Sequence, residues 1–491
     1  MMRPLKYMMI KYFCLLLFFL CSSITTGSDN LPDLGDPSTR ILTPQEERRL
    51  GERIMFQIRN SLDLSQDKWV QNYIQSLGNK LANTQNANTF PYTFFVVNDK
   101  SINAFALPGG FIGVNTGLLL AVSDEHELAS VLAHEMAHVS QHHIARLYEH
   151  AQQVQLSTLA SMVAAIILAT QNPNLGSGAI AAAMAGQQQA FLNFSRDNEK
   201  EADRIGIQTL TRAEFDPQAM PRFFEKLWKS TQYYGQKVPE FLRTHPLTEA
   251  RIADTRARAN QFSIKSFSYD PNFLFLQADI RANSFKTPQE AKQYFTQLQS
   301  TSPLQKDVAS YGLALSNLNQ GEGKKAIALL KPLMISYPKV LLIQSTYAEA
   351  LYSDHQTSEA LKMIEKTLEE SPSDLALFLQ YNQWLLAQKQ ATQVIQNARL
   401  YELQYGQISD ILELLSKAYA ILGQGAEMHF AQANFLFSIG DYRGAVIQLK
   451  QAKELAPTPS KLLLQIEARL EEIKNVIEEV EGKSYRNPFA F

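Results

Sequence analysis

The pattern of apolar and polar positions divides the chain into a mixed first half and an all-helical second half. Residues 124–148 contain no Pro or Gly, and Leu128, Leu132, Met136 and Val139 recur at helical spacing. That spacing predicts one amphipathic helix with these four side chains toward the core. Ahead of it, residues 92–97 are rich in aromatic and β-branched types and predict a strand. Residues 103–107 and 111–115 predict two further short strands around Pro108-Gly109-Gly110. Residues 151–195 carry no charge, with apolar runs at 154–170 and 179–186 separated by Pro173, Gly176 and Gly178. The first run is interrupted by polar residues and the second is too short to span a bilayer. Two helices packed beside the preceding segments are expected there, in contact with the membrane surface or a partner. Beyond residue 266, small residues recur in register. Ala314, Ala326 and Pro338 are followed by Ala348, Ala360 and Pro372, and later by Ala433, Ala445 and Pro457. The offset of about 34 residues between the first two sets is the tetratricopeptide period. Small residues let paired helices cross closely, and Pro stops the second helix. Residues 374–425 read as helical but degenerate. The expected organisation is a leader over 1–27, a domain over 28–265 with a small β-sheet among helices, and an all-α repeat solenoid over 266–491.

Composition narrows the setting. The chain has 491 residues, 45% apolar, with a formal net charge of -2. That balance offers no electrostatic reason to expect nucleic acid as a partner. Arg3, Lys6 and Lys11, a short apolar stretch over 12–20 and small polar residues up to Gly27 have the layout of a secretory signal peptide, cut before Ser28. Its apolar core is shorter than the roughly 20 residues of a membrane span. Cleavage removes three cations and takes the formal charge from -2 to -5. It also removes Cys14 and Cys21, the only cysteines. A metal in the mature chain would then rest on histidines and carboxylates.

Histidine is concentrated in one region, with seven of the nine between His126 and His245. Within the predicted helix stands His134-Glu135-Met-Ala-His138. At 3.6 residues per turn His134 and His138 stack on one face, and two imidazoles one turn apart make half of a tetrahedral zinc site. Glu135 points to the same space, where it can take a proton from water activated at the metal. The metzincin extension would need Gly at 141 and His at 144, but Gln141 and Ile144 stand there, which excludes that class. A third ligand is expected from the segment Arg196-Asp-Asn-Glu199-Lys-Glu201-Ala202-Asp203-Arg-Ile-Gly206. As a helix it places Glu199, Ala202, Asp203 and Gly206 on one face, with the small residues allowing close approach. Glu199 is therefore the expected ligand. Asp203, one turn on, is expected to hold a ligand imidazole by its other nitrogen. Glu201 points to the far side and is expected to be dispensable.

The two metal motifs, together with Asn103-Ala-Phe-Ala-Leu-Pro-Gly-Gly-Phe-Ile-Gly-Val-Asn-Thr-Gly-Leu, resemble the HtpX/Oma1-type zinc metallopeptidases over roughly residues 40–260. With its leader and helical second half, the chain looks most like the periplasmic, beta-barrel assembly-enhancing branch of Gram-negative bacteria. The resemblance implies a gluzincin fold, one Zn2+ per chain and Glu199 as third ligand. It also implies an active-site histidine near His245, which would steady the oxyanion or fill the open metal position. A peptidase holds its substrate extended, so a strand edge of the 103–115 hairpin is expected to take it up, with Asn103, Ala104, Phe105, Gly110 and Phe111 as candidate contacts. The implied function is degradation of misassembled outer-membrane β-barrel proteins, with the repeats docking the barrel-assembly machinery. The alternative is a chaperone or assembly adaptor acting through its repeats, with rare proteolysis.

Overall fold

The computed structural model describes residues 43–85, 91–143, 196–234, 239–262, 267, 270–298 and 302–481. The expected leader and the uncharged 151–195 segment lie outside the described residues, as do residues 144–148 of the predicted helix. The fold is mainly α with one small sheet, as the sequence pattern predicts.

Helix α1 (Pro44–Ser61) starts at Thr43, whose hydroxyl accepts from the Glu46 N–H while Glu46 reaches back to the Thr43 N–H. Helix α2 (Lys68–Ala82) is capped by Asp67. Strands β1 (Thr93–Val97), β2 (Ala104–Leu107) and β3 (Phe111–Asn115) form a sheet in the order β1-β3-β2. β1 runs parallel to β3, with Thr93 opposite Phe111 and Val97 opposite Asn115. β2 returns antiparallel, with Ala104 opposite Val114 and Leu107 opposite Phe111. The outer edge of β1 is partly covered: Ser65 N–H donates to Val96 O at 2.9 Å and Asn98 N–H to Asp63 O at 2.8 Å. β2 forms the opposite edge. The turn between β2 and β3 needs glycine at Gly109, which has φ 73°, and a Cβ there would come within 2.5 Å of Arg48 Cα.

Short helix α3 (Thr116–Ala121) leads into α4 (Glu125–Ser140), capped by Asp124 Oδ1 accepting from the Glu127 N–H at 2.9 Å. The sequence predicts a helix running on to residue 148. It stops at Ser140 instead, because His142 takes a left-handed conformation, φ 51°. Helices α5 (Arg196–Arg212), α6 (Ala219–Tyr234), α7 (Glu240–Thr244) and α8 (Glu249–Ala259) follow. α5 packs closely on α4. Ala202 is fully buried, and a Cβ on Gly206 would sit 3.3 Å from the His134 backbone nitrogen and 2.9 Å from Met220 Cε.

Helices α9 (Pro271–Ser284) and α10 (Pro288–Leu298) open the second half. Their core is continuous with the first half: Phe273, Phe275 and Phe295 share one apolar cluster with Leu118 and Leu132. Gln277 also donates to the carbonyls of Leu119 and Val122 at 2.9 Å. Paired helices then stack: α11 (Pro303–Leu318) with α12 (Gly323–Ser336), and α13 (Leu341–Ser353) with α14 (Thr357–Glu370). Helices α15 (Leu375–Ala387), α16 (Ala391–Tyr405) and α17 (Ser409–Ile421) occupy the degenerate stretch, and α18 (Gly425–Ser438), α19 (Tyr442–Leu455) and α20 (Lys461–Glu481) complete the array. Ala314, Ala326, Ala348, Ala360, Ala433 and Ala445 are all fully buried, where a larger side chain would force the helices apart. Because α15–α17 are three helices, the last alanine pair joins α18 to α19, shifting the pairing by one helix. The array returns to the first half: Lys68 Nζ lies 2.6 Å from Asp410, and Arg59 donates to Ile439 O at 2.7 Å, with Phe56 packed on Gly440.

Candidate metal centre

Helix α4 sets His134 and His138 one turn apart, with their Nε2 atoms 3.1 Å from each other. α5 brings Glu199 opposite: one carboxylate oxygen is 3.5 Å from His134 Nε2, the other 3.5 Å from His138 Nε2. His245 arrives at the C-terminal end of α7. That helix is anchored by the Phe241 N–H donating to Ile102 O at 3.0 Å, and the His245 ring stacks on Phe241 with centroids 4.7 Å apart. His245 Nδ1 lies 3.4 Å from His134 Nε2 and 3.0 Å from Glu199 Oε1. All four residues are buried, and one donor atom from each lies within 4.8 Å of the others.

These distances test whether a metal fits. A tetrahedral ion with bonds of about 2.0–2.1 Å has donor–donor edges of about 3.3–3.4 Å. The distances above span 3.0–3.5 Å, with Glu199 meeting His134 through one oxygen and His138 and His245 through the other. Two imidazole nitrogens at 3.1 Å, buried beside a carboxylate, present converging lone pairs that a cation satisfies. Burial holds His138 well below its ordinary pKa despite the nearby Glu199 charge, leaving it a neutral donor. Burial works against the charge on Glu199 as well, but His245, His134 and His138 outweigh it and hold the carboxyl well below its usual range. At His134, burial is again outweighed, here by Asp203 and Glu199, and the imidazole is pushed up to about 10. Proton and metal therefore compete for the same nitrogen. The donor set fits a metal ion.

Glu135 is fully buried beside this cluster, 3.4 Å from His245 Nε2. Neither of its oxygens is paired at hydrogen-bonding geometry, although the Ala106 backbone eases its charge, and burial raises its pKa. Such a group is poised to take a proton rather than to hold a structural contact. Asp203 Oδ1 lies 3.0 Å from His134 Nδ1, on the side away from the donor cluster.

Three features escaped the sequence reading. Arg251, on α8 and buried, grips Asp203 with two bonds of 2.8 Å, and its Nη1 lies 2.8 Å from Glu199 Oε2 and from Pro246 O. One sequence signal existed: two carboxylates on one buried helix face require a cation. The second is His143, buried, with Nδ1 2.9 Å from His138 Nδ1 and Nε2 3.1 Å from Glu201 Oε2. Glu201 thus faces away from the cluster as expected, and is linked to it through His143. The third is Glu47 on α1, whose Oε2 lies 3.1 Å from His142 Nδ1.

The candidate substrate contacts are placed less openly. Asn103, Ala104, Gly110 and Phe111 are buried, and the Arg48 guanidinium sits 4.0 Å over the Phe111 ring. Phe105 is part-buried against Phe95 and Gly113.

The buried donor cluster could hold a metal ion, with the Glu135 carboxylate beside it. The peptidase family M48 profile matches residues 68–259. The chain is 33% identical over 466 residues to a putative beta-barrel assembly-enhancing protease of Vibrio cholerae, covering 94% of this chain and 96% of that one. It is 30% identical over 458 residues to the beta-barrel assembly-enhancing protease of Yersinia pestis, covering 92% and 93%. The mitochondrial metalloendopeptidase OMA1 of Danio rerio matches at 33% over 284 residues, 54% of this chain and 58% of that protein. The chain belongs to peptidase family M48 and is a metallopeptidase.

Proposed function

We propose that this chain is a zinc endopeptidase of the Gram-negative periplasm that removes misassembled outer-membrane β-barrel proteins. The observation that carries the reading is the convergence of His134, His138, Glu199 and His245 next to the buried carboxylate of Glu135. Zinc bound there would supply Lewis-acid polarisation of a peptide carbonyl and an activated water near neutral pH. In this reading His134, His138 and Glu199 hold the ion. Glu135 takes the proton from the attacking water and hands it to the leaving amine. Asp203, clamped by Arg251, fixes the His134 ring. The β2 edge takes the substrate as an added strand, which holds the scissile bond extended beside Glu135. Support for barrel proteins as substrates comes from the relatives' names and their match along nearly the whole chain. Among the described residues no helix is long and apolar enough to cross a membrane. The repeat array is the proposed docking element for the assembly machinery. An adaptor role for it coexists with proteolysis.

His245 gives the site a restraint. Its Nδ1 stands within the donor cluster, where it occupies a position that water needs. Removing it should leave metal bound by the other three residues and raise basal cleavage. Casein hydrolysis and zinc content of purified His245→Ala, before and after chelation, test both parts. A fall in activity at full zinc occupancy would overturn the restraint, and chelator-insensitive cleavage by the unaltered protein would overturn the metallopeptidase mechanism.

A further inference from the structure

Two ligand imidazoles face the proposed metal position, and each must present Nε2 with a free lone pair. A neutral imidazole does so only if its proton sits on Nδ1, and the partner at Nδ1 decides that. For His134 the partner is Asp203. For His138 it is another histidine, His143, five residues further along the chain.

Local backbone conformation creates this contact. In a continuing helix a residue five positions on lies about 140° around the axis from its predecessor. His143 could then not meet His138. The helix ends instead, and His142 turns left-handed at φ 51°, a conformation that non-glycine residues rarely adopt. Glu47 Oε2, 3.1 Å from His142 Nδ1, holds that turn from α1. The reversal folds His143 back into the interior, where its Nδ1 comes 2.9 Å from His138 Nδ1. Its Nε2 meets Glu201 Oε2 at 3.1 Å, and that carboxylate is about a third exposed.

One arrangement of protons satisfies these contacts with neutral rings. Glu201 accepts, so His143 carries its proton on Nε2. His143 Nδ1 is then a lone pair and accepts from His138 Nδ1–H. His138 Nε2 is left bare, facing the donor cluster. The reverse assignment would set a lone pair of His143 against the Glu201 carboxylate. It would also put the His138 proton on Nε2, 3.1 Å from His134 Nε2, and remove His138 as a donor.

We propose that Glu201 and His143 act in series as positioning residues, locking His138 in its ligand tautomer and orientation, with the left-handed turn at His142 delivering His143. The proposal rests on the metal-centre reading above. Outer partners of ligand histidines are typically worth about 10–100-fold in metal affinity.

The test is metal affinity rather than turnover. Zinc is competed from the purified full chain with a chromophoric chelator, and the visible spectrum of the Co(II)-substituted protein is recorded. Glu201→Ala and His143→Phe should each weaken zinc by about 10–100-fold and alter the Co(II) spectrum. Glu201→Gln should recover most of the affinity, because its amide oxygen still accepts from His143 Nε2–H. The double variant should be no weaker than His143→Phe alone, as members of one chain are not additive. Thermal unfolding of the metal-free proteins guards against a folding defect, and Glu201→Ala, at a part-exposed position, should unfold at the unaltered temperature. Unchanged affinity and spectrum in Glu201→Ala would overturn the relay. Failure of the unaltered chain to bind zinc tightly would instead overturn the metal-centre reading, so the two failures are distinguishable.

Discussion

The two halves of the molecule bury polar groups in opposite ways. Around α4, α5 and α8 the interior holds His134, Glu135, His138, His143, Glu199, Asp203, His245 and Arg251. These groups find partners on other helices, and several act on each other's charge. Among the described residues beyond Pro303, every buried side chain is apolar or neutral. Several of the buried hydroxyls and amides there bond a carbonyl of their own helix, and some also meet one neutral group on the next helix, as Ser345 does Gln380 and Thr367 does Gln344. Ser316 donates to Gly312 O at 2.8 Å, Thr346 to Leu342 O at 2.8 Å, Thr367 to Met363 O at 2.9 Å and Asn382 to Phe378 O at 2.8 Å. A neutral polar group bonded to its own helix or to the next one makes only short-range demands, so helix pairs can repeat. A cross-linked charged group ties together elements far apart in sequence, so that region tolerates few alternatives. Interior charge marks the chemistry, and interior alanine marks the scaffold.

The sharpest way to break this contrast is at Arg251. Arg251→Leu would leave Glu199 and Asp203 facing each other without their buried cation, a change that typically costs about 3–5 kcal/mol. Denaturant unfolding of the metal-free variant should show that loss. Metal-loaded protein should recover part of it, since a bound cation replaces the missing charge. A loss below about 1 kcal/mol would mean that the buried network is not cross-dependent.

The corresponding change in the second half is smaller. Ala348→Leu adds volume at a fully buried helix crossing and should cost about 1–3 kcal/mol by overpacking. A shift in the urea midpoint measures it. No shift would show that the crossing has slack and that the alanine register is incidental.

The smallest expected effect lies at the border of the two regions. Glu125, on the first turn of α4, is pushed up to about 7, chiefly by burial and secondarily by Asp270 at the start of α9. A carboxyl raised from 4.5 in the unfolded chain favours folding fully below that value. Its contribution is lost as pH rises through 7, where the folded form must ionise it. The loss is on the order of 1–2 kcal/mol, because the group is part-exposed and screened. Glu125→Gln should therefore flatten the decline in thermal midpoint between about pH 4.5 and 7.5. A variant with an undiminished decline would assign that pH dependence elsewhere.

Periodicity made the scaffold legible. The alanine register located the helix crossings because a close crossing permits few side chains. The placement of Glu199, Ala202, Asp203 and Gly206 toward α4 was legible for the same reason: small residues on one face mark an approach. The end of α4 was not. Nothing in the apolar spacing of residues 124–148 signals that His142 turns left-handed, where its ring meets Glu47, ninety-five residues earlier. The contact between Glu201 and His143 was hidden for the same reason. Helix geometry tells which way a side chain leaves its own helix but not what another segment brings to meet it. The pairing of α18 with α19 was legible from Ala433 and Ala445, whereas the odd helix causing the phase shift lies where the repeat signal fades.

Helix α1 carries a consequence of its own. Its two ends serve different neighbours. Glu47 near its start meets the His142 turn, and Arg59 near its end bonds the Ile439 carbonyl of the second half. The twelve helical steps from one to the other cover about 18 Å. One helix thus fastens the backbone turn behind His138 and the far end of the helical array to a common strut, so the geometry of each is referred to the same element.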